Sequence, residues 1–238
     1  MKRICMWSGP RNLSTAMMYS FFHRGDCHVI DEPFYAHYLV KTGLNHPGRE
    51  EVIAQHETDV SQVIDSLVSQ NYEQEMLFIK NMPHHMVDLD LGFMEQLTHF
   101  FLIREPRAMI ASYAQKIPDV HMRDLGLDLQ YEMFSSLRNG TKIPPVVDSR
   151  MLLENPRSVL QRLCKALEIP FVESMLSWPA GPIPGDGAWA QYWYGSVHRS
   201  TGWDAPRALK EIRLPEHLES LVTECEKYYE EMKTFAIS

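Results

Sequence analysis

The sequence predicts a three-layer α/β/α sandwich built around a parallel sheet, and three observations carry that reading. Short apolar runs of strand length alternate with longer stretches of helical periodicity, the pattern of successive βαβ units. Several of these runs end on a charged residue or a glycine turn, as expected where chemistry collects at the carboxyl edge of an open sheet. The 238 residues are 45% hydrophobic and 23% charged, enough for one sizeable core, so residues 1–238 are read as a single domain.

The elements follow in order. Arg3 to Trp7 is the first strand, and the turn SGPRNLST leads from it into an apolar helix from Ala16 to Phe22. His28 to Glu32 is the second strand. Val52, Ile53, His56, Val60, Val63, Ile64 and Leu67 recur at three-and-four spacing and predict an amphipathic helix. Met76 to Lys80 and His99 to Arg104 are the third and fourth strands, with Pro106 at a helix start directly after the fourth. Pro145 to Asp148 is the fifth. Asn155 and Pro156, an N-cap and a first-turn proline, open a helix through Val159, Leu160, Leu163 and Leu167. Residues 178–206 break the alternation. They are rich in proline and glycine, hold four of the five tryptophans, and read as a long irregular loop, either a lid or an excursion pinned by its aromatic residues. A helix over 215–233 carries Leu218, Leu221, Val222, Cys225, Tyr229 and Met232 on one face.

Charge and cysteine usage exclude several classes. A net charge of −8 provides no general field for nucleic acid, so any anion site must be local. The apolar stretch Ile4 to Trp7 is too short for a signal-peptide core, and no later stretch reaches membrane-spanning length. Cys5, Cys27, Cys164 and Cys225 are widely spaced within apolar patterns, which fits reduced core thiols better than disulfides or a zinc site. The expectation is a cytoplasmic protein without nucleic-acid or membrane partners. A small-molecule acceptor and a second copy of the chain remain as candidate partners.

The turn after the first strand feeds directly into a helix N-terminus, so free backbone N–H groups and the positive end of the helix dipole point into it. An anion is the natural occupant. Arg11 adds a bidentate positive charge, and Ser14 and Thr15 add hydroxyl donors. Counted from Gly9, the positions where a nucleotide-hydrolase phosphate loop holds Gly, Lys and Ser/Thr are Ser14, Thr15 and Ala16, so that pattern fails at its lysine.

Three blocks resemble the sulfotransferase family. GPRNLST resembles its 5′-phosphosulfate loop, with Pro10, Arg11, Ser14 and Thr15 matching and Asn12 and Leu13 standing where Ser-Gly is usual. FFLIREPRAMIASY resembles its 3′-phosphate segment, with Arg104 and Ser112 on the matching positions. VVDSRMLLENPRSVLQRLCKALEIPF resembles its late strand and the helix after it. SVHRSTGW is similar to the segment that closes over the donor, carrying Arg199, Gly202 and Trp203. The resemblance implies a P-loop NTPase-like fold and transfer of a sulfuryl group from 3′-phosphoadenosine 5′-phosphosulfate (PAPS) to a hydroxyl or amine. It assigns Arg11, Asn12, Ser14, Thr15, Arg104, Ser112, Arg199 and Gly202 to the donor. Because a sulfuryl group bears fewer charges than a phosphoryl group, the chemistry does not require a bridging metal ion, and none is expected.

Family members use a histidine after the third strand or a glutamate near the second as general base, and both are on offer here. Lys80 matches the lysine of the third strand, with the histidine displaced from position 82 to His84 or His85. Glu32 stands where other members place a glutamate, and is the first choice. Burial would raise its pKa and Arg11 would lower it. Two alternatives stay open: a kinase or hydrolase with a degenerate phosphate loop, and a catalytically silent domain that binds the desulfated product PAP.

Overall fold

The computed structural model describes residues 1–138, 142–205 and 212–237. The chain runs β1 (Lys2–Ser8), α1 (Ser14–Phe22), β2 (Cys27–Asp31), α2 (Tyr35–Thr42), α3 (Arg49–Gln55), α4 (Val60–Val68) and β3 (Met76–Asn81). It continues through β4 (Thr98–Ile103), α5 (Pro106–Ala114), α6 (Met122–Leu125), α7 (Leu127–Arg138), β5 (Val146–Asp148), α8 (Ser149–Glu154), α9 (Pro156–Ala166), α10 (Ala190–Trp193) and α11 (Glu219–Lys233). Among the described residues, the five strands form one sheet in the order β2-β3-β1-β4-β5, every pair parallel.

Period-two alternation splits the sheet residues between two apolar layers. Ile4, Met6, Phe78, Phe100 and Leu102 face a core completed by α1, α8 and α9. Cys5, Trp7, Leu77, Ile79, Phe101 and Ile103 face the other, completed by α4, α7 and α11. Both faces are thus covered, which is why β3 and β4 read as continuous apolar runs and not as alternating ones. All four cysteines are free and buried. Among the described residues no helix is long and apolar enough to cross a membrane.

The strand order positions the site. β1 lies at the centre, with β3 on one side and β4 on the other, so the crevice at the reversal opens where β1 and β4 end. Predicted strand boundaries agree to within a residue, which leaves Glu32 and Arg104 one position beyond β2 and β4. The expected helix through Val52 and Leu67 is instead two, α3 and α4. His56 has extended backbone, and Asp59 opens α4 by accepting from the Ser61 and Gln62 amides. A side-chain cap of that kind favours a fresh start over continuation. The C-terminal helix opens with a 3₁₀ turn at Glu216–Leu218 before α11. α5 and α9 begin at Pro106 and Pro156, as expected, with Glu105 and Asn155 capping them. Residues 178–205 form the irregular loop. It is anchored by buried Trp178, Trp189 and Tyr194, and contains α10 and a 3₁₀ turn at Val197–Arg199. Pro206, the last residue of the predicted loop, lies outside the described residues.

Candidate functional site

The first half of the site is the turn between β1 and α1. Gly9 is required there by close approach, since a Cβ would sit 2.9 Å from the Leu125 carbonyl oxygen. Arg11 and Leu13 adopt left-handed backbone (φ 58° and 62°), and Leu13 stands directly before α1 without supplying a side-chain cap. Leucine at this position costs strain that glycine would not, and the uncapped start leaves first-turn N–H groups for another acceptor. Ser14 is buried at the first helical position, with half-buried Thr15 beside it.

Arg11, Arg104 and Ser112 converge although they are far apart in the chain. Arg11 Nε donates to Ser112 Oγ at 3.0 Å, and Arg104 Nη1 donates to the Arg11 carbonyl. Burial lowers both guanidinium pKa values, and for Arg104 the charge of Arg11 lowers it further. Glu105 is occupied in capping α5 through the Arg107 and Ala108 amides, and Arg107 forms a bidentate pair with Glu219. Two cations and a hydroxyl therefore face one another with unused donors, an arrangement suited to a multiply charged anion.

Asn12 is placed differently. Its Nδ2 donates to the Leu102 carbonyl at 2.6 Å and its Oδ1 accepts from Ser149 Oγ at 2.6 Å, so the buried side chain ties the turn to β4 and α8. Arg199 is exposed at the end of the 3₁₀ turn in the long loop. Gly202 packs against Leu176 and Ser177, where a Cβ would meet the Leu176 carbonyl oxygen at 2.8 Å. Among the described residues neither is hydrogen-bonded to Arg11, Ser14, Thr15, Arg104 or Ser112.

The second half lies at the ends of β2 and β3, on the same edge of the sheet. Lys80 is 1% exposed and donates to Asp31 Oδ1 at 2.7 Å, to the Tyr194 hydroxyl at 2.7 Å and to Glu32 Oε1. Glu32 itself is in a left-handed conformation (φ 42°), backbone strain of the kind held at functional sites. Burial raises the Glu32 pKa, with Lys80 opposing and Asp31 reinforcing the rise. For Lys80, burial works to lower the pKa, but the two carboxylates outweigh it and keep the ammonium charged. The partner expected to lower the Glu32 pKa was Arg11; in the structure Lys80 takes that role.

His84 and His85 are buried in the 3₁₀ turn after β3 and stand among aromatic rings. Tyr35 and Tyr38 lie 4.8 Å from the His85 ring centre, and the two imidazoles are 4.5 Å apart. Burial drives the His84 pKa down to about 3 and that of His85 well below its usual value.

Asp31 was not anticipated at the site, and Tyr194 only as one of the aromatic residues of the irregular loop. Asp31 could have been noticed as the acid adjoining Glu32 at a strand end, but nothing local marks Tyr194, which reaches the cluster from a loop 163 residues from Asp31.

The family model of the sulfotransferase domain matches residues 1–236. Two Arabidopsis thaliana proteins, named branched-chain-amino-acid aminotransferase-like protein 2 and protein 1, are 38% and 39% identical over 208 and 202 residues, or 87% and 84% of this chain. The chain spans only 37% and 36% of their lengths. Among solved structures, the sulfotransferase domain of the Synechococcus PCC 7002 olefin synthase superposes with a TM-score of 0.63 at 18% identity, covering 100% of this chain and 95% of that one. The sulfotransferase domain from the curacin biosynthetic pathway gives 0.55 at 17%, covering 95% and 96%. These structural likenesses speak for the fold, and the match along residues 1–236 establishes that the chain belongs to the sulfotransferase domain family.

Proposed function

We propose that the chain transfers a sulfuryl group from PAPS to a hydroxyl or amine acceptor by in-line displacement. The convergence of Arg11, Arg104 and Ser112 beside the uncapped start of α1 carries this reading. PAPS differs from simpler adenine nucleotides in its 3′-phosphate and its phosphosulfate. A cationic pair next to a helix N-terminus fits two anionic groups better than one.

In the reaction, the acceptor oxygen or nitrogen bonds to sulfur as the bond from sulfur to the 5′-phosphate oxygen breaks, and PAP leaves with the added negative charge. The turn amides and the arginines would stabilise that charge. Glu32 would take the acceptor's proton. Burial raises its pKa and so makes it a stronger base than an exposed carboxylate, whereas burial drives His84 down to about 3 and leaves it little proton affinity. Lys80, with all three N–H groups engaged, would orient Glu32 and balance its charge. The positive charge needed at the departing phosphate is supplied by Arg11 and Arg104, so metal-independent transfer is expected. The long loop with its tryptophans would close one side of the acceptor space, where Trp193 stacks on Tyr113.

Ligand-dependent melting tests the donor. PAP at about 100 times its Kd should add about 2.7 kcal/mol of stability with or without magnesium, while ATP with magnesium should add little. Stabilisation by ATP and magnesium but not by PAP would favour the kinase or hydrolase reading. PAP binding without turnover on any hydroxyl or amine would favour a silent binding domain.

A further inference from the structure

We propose that Asp31 and Tyr194 are positioning residues for the general base: they hold Lys80 against Glu32 and thereby tie proton transfer to the seating of the tryptophan-rich loop. The inference rests on Glu32 being the base.

The hydrogen-bond inventory of this cluster is closed. Lys80 has three N–H donors, and they reach Asp31 Oδ1, Glu32 Oε1 and the Tyr194 hydroxyl. The Tyr194 hydroxyl has one proton, which it donates to Asp31 Oδ2 at 2.6 Å, and it accepts from Lys80 and from Trp189 Nε1 at 3.0 Å. Asp31 Oδ2 also accepts from the Gly187 amide at 3.4 Å. Lys80, Asp31 and Tyr194 thus form a closed ring of hydrogen bonds with Glu32 attached through Lys80. Asp31, Glu32, Lys80 and Tyr194 are all buried.

Two carboxylates share one ammonium here, and the electrostatic consequence is specific. The Tyr194 proton gives Asp31 a second partner, so Lys80 need not serve Asp31 alone. Without that hydroxyl, more of the Lys80 charge goes to Asp31 and less to Glu32, which then holds its proton more tightly. Without the Asp31 charge, Glu32 has Lys80 to itself and releases its proton more readily. The groups facing Glu32 are Lys80 from β3, the adjoining Asp31, Tyr194 from the loop and Tyr35 from α2, with His85 behind Lys80 and His56 beyond Asp31. Burial raises the pKa of Glu32, Asp31 raises it further and Lys80 lowers it, which agrees with the sign expected on removing the Asp31 charge.

Tyr194 arrives on a segment that is fastened elsewhere. Asp186 in the same loop accepts from Tyr19 of α1 at 2.7 Å and pairs with His198 at 3.0 Å. The loop therefore links the helix behind the phosphate turn to the carboxylate cluster. With the loop seated, Lys80 is shared between Asp31 and Glu32; with Tyr194 withdrawn, Asp31 would draw more of the Lys80 charge and Glu32 would hold its proton more tightly.

The experiment is a ¹³C-carboxyl NMR titration of Glu32 in the full chain, assigned by Glu32→Gln, alongside the pH dependence of PAPS breakdown and PAP affinity by calorimetry. Tyr194→Phe should move the Glu32 titration and the rising limb of the rate profile to higher pH, and Asp31→Asn should move both to lower pH. PAP affinity should stay within about twofold in each variant, and turnover of Tyr194→Phe at neutral pH should fall roughly tenfold, the size usual for a partner that orients a reacting group. Shifts of the same sign, or no shift, overturn the inference, because a merely structural role would change amount or stability without opposite movements. If Asp31→Asn does not fold, Trp189→Phe takes its place: loss of the N–H that steadies the hydroxyl should give a smaller shift to higher pH than Tyr194→Phe, and an equal, absent or opposite shift overturns the inference. Should Glu32→Gln retain turnover within tenfold, the base assignment fails. Should Glu32→Gln abolish turnover while Tyr194→Phe leaves the titration in place, only the present inference fails.

Discussion

The two halves of the site lie on one edge of one sheet and are built on opposite principles. At the ends of β1 and β4, Arg11, Arg104 and Ser112 form a cationic, half-buried group. Its guanidinium donors are only partly used, and neither arginine is paired with a carboxylate among the described residues. At the ends of β2 and β3, Asp31, Glu32, Lys80 and Tyr194 form a sealed group in which every Lys80 donor has a partner and charges of both signs lie in contact. Unsatisfied, like-charged donors at a crevice suit the binding and release of an anion. A satisfied and buried network instead suits moving a proton, because burial shifts pKa values and fixed neighbours set their direction. Division of labour between ligand and proton is thus written in hydrogen-bond bookkeeping.

That contrast is most exposed to Glu32→Gln, which keeps shape and removes basicity. Turnover should fall about 100- to 10,000-fold with PAP affinity unchanged by calorimetry. A parallel loss of PAP binding would mean that the two halves are one. The next effect belongs to the cationic half. Arg104→Ala should weaken PAP by about 1.5 to 3 kcal/mol while leaving AMP nearly alone, the loss of a charge-assisted contact to the 3′-phosphate. Since Arg11 meets Ser112, Arg11→Ala is expected to reduce the preference for PAP over AMP as well, and equal weakening of both ligands would assign these arginines to the fold.

The last effect is on stability and concerns the turn after β3. His84 is buried neutral, with its pKa lowered from 6.5 to about 3, so the unfolded chain binds a proton that the folded chain refuses. The stability this supplies is complete above pH 6.5 and is lost as pH falls toward 3. His84→Gln should flatten the fall of Tm across that window relative to the parent. An unchanged slope would mean that the imidazole reaches water.

Much of this was legible in the chain itself. All five strands could be read to within a residue, because strands covered on both faces are continuous apolar runs, and Pro106 and Pro156 marked helix starts by their fixed φ. The positions of Arg11 and Arg104 at strand ends were likewise readable from motif and spacing. The bond from Arg104 to the Arg11 carbonyl, and that from Arg11 to Ser112, 101 residues away, were not. The split between α3 and α4 was missed because apolar spacing continues through His56 while the backbone does not. His84 and His85 read equally well as loop residues, since nothing in the string PHH tells burial from exposure.

What the sequence determined by itself is local: which segments are strands, where an anion-binding turn begins, and which charged residues stand at strand ends. These follow from periodicity, capping and backbone preference, which act over a few residues. Tertiary structure alone decided the strand order, the pairing of Arg11 with Ser112, and the closing of Tyr194 over Asp31 and Lys80. Each of these joins residues about 50 to more than 160 positions apart, and such contacts depend on how covered sheets and loops pack, which no local pattern encodes.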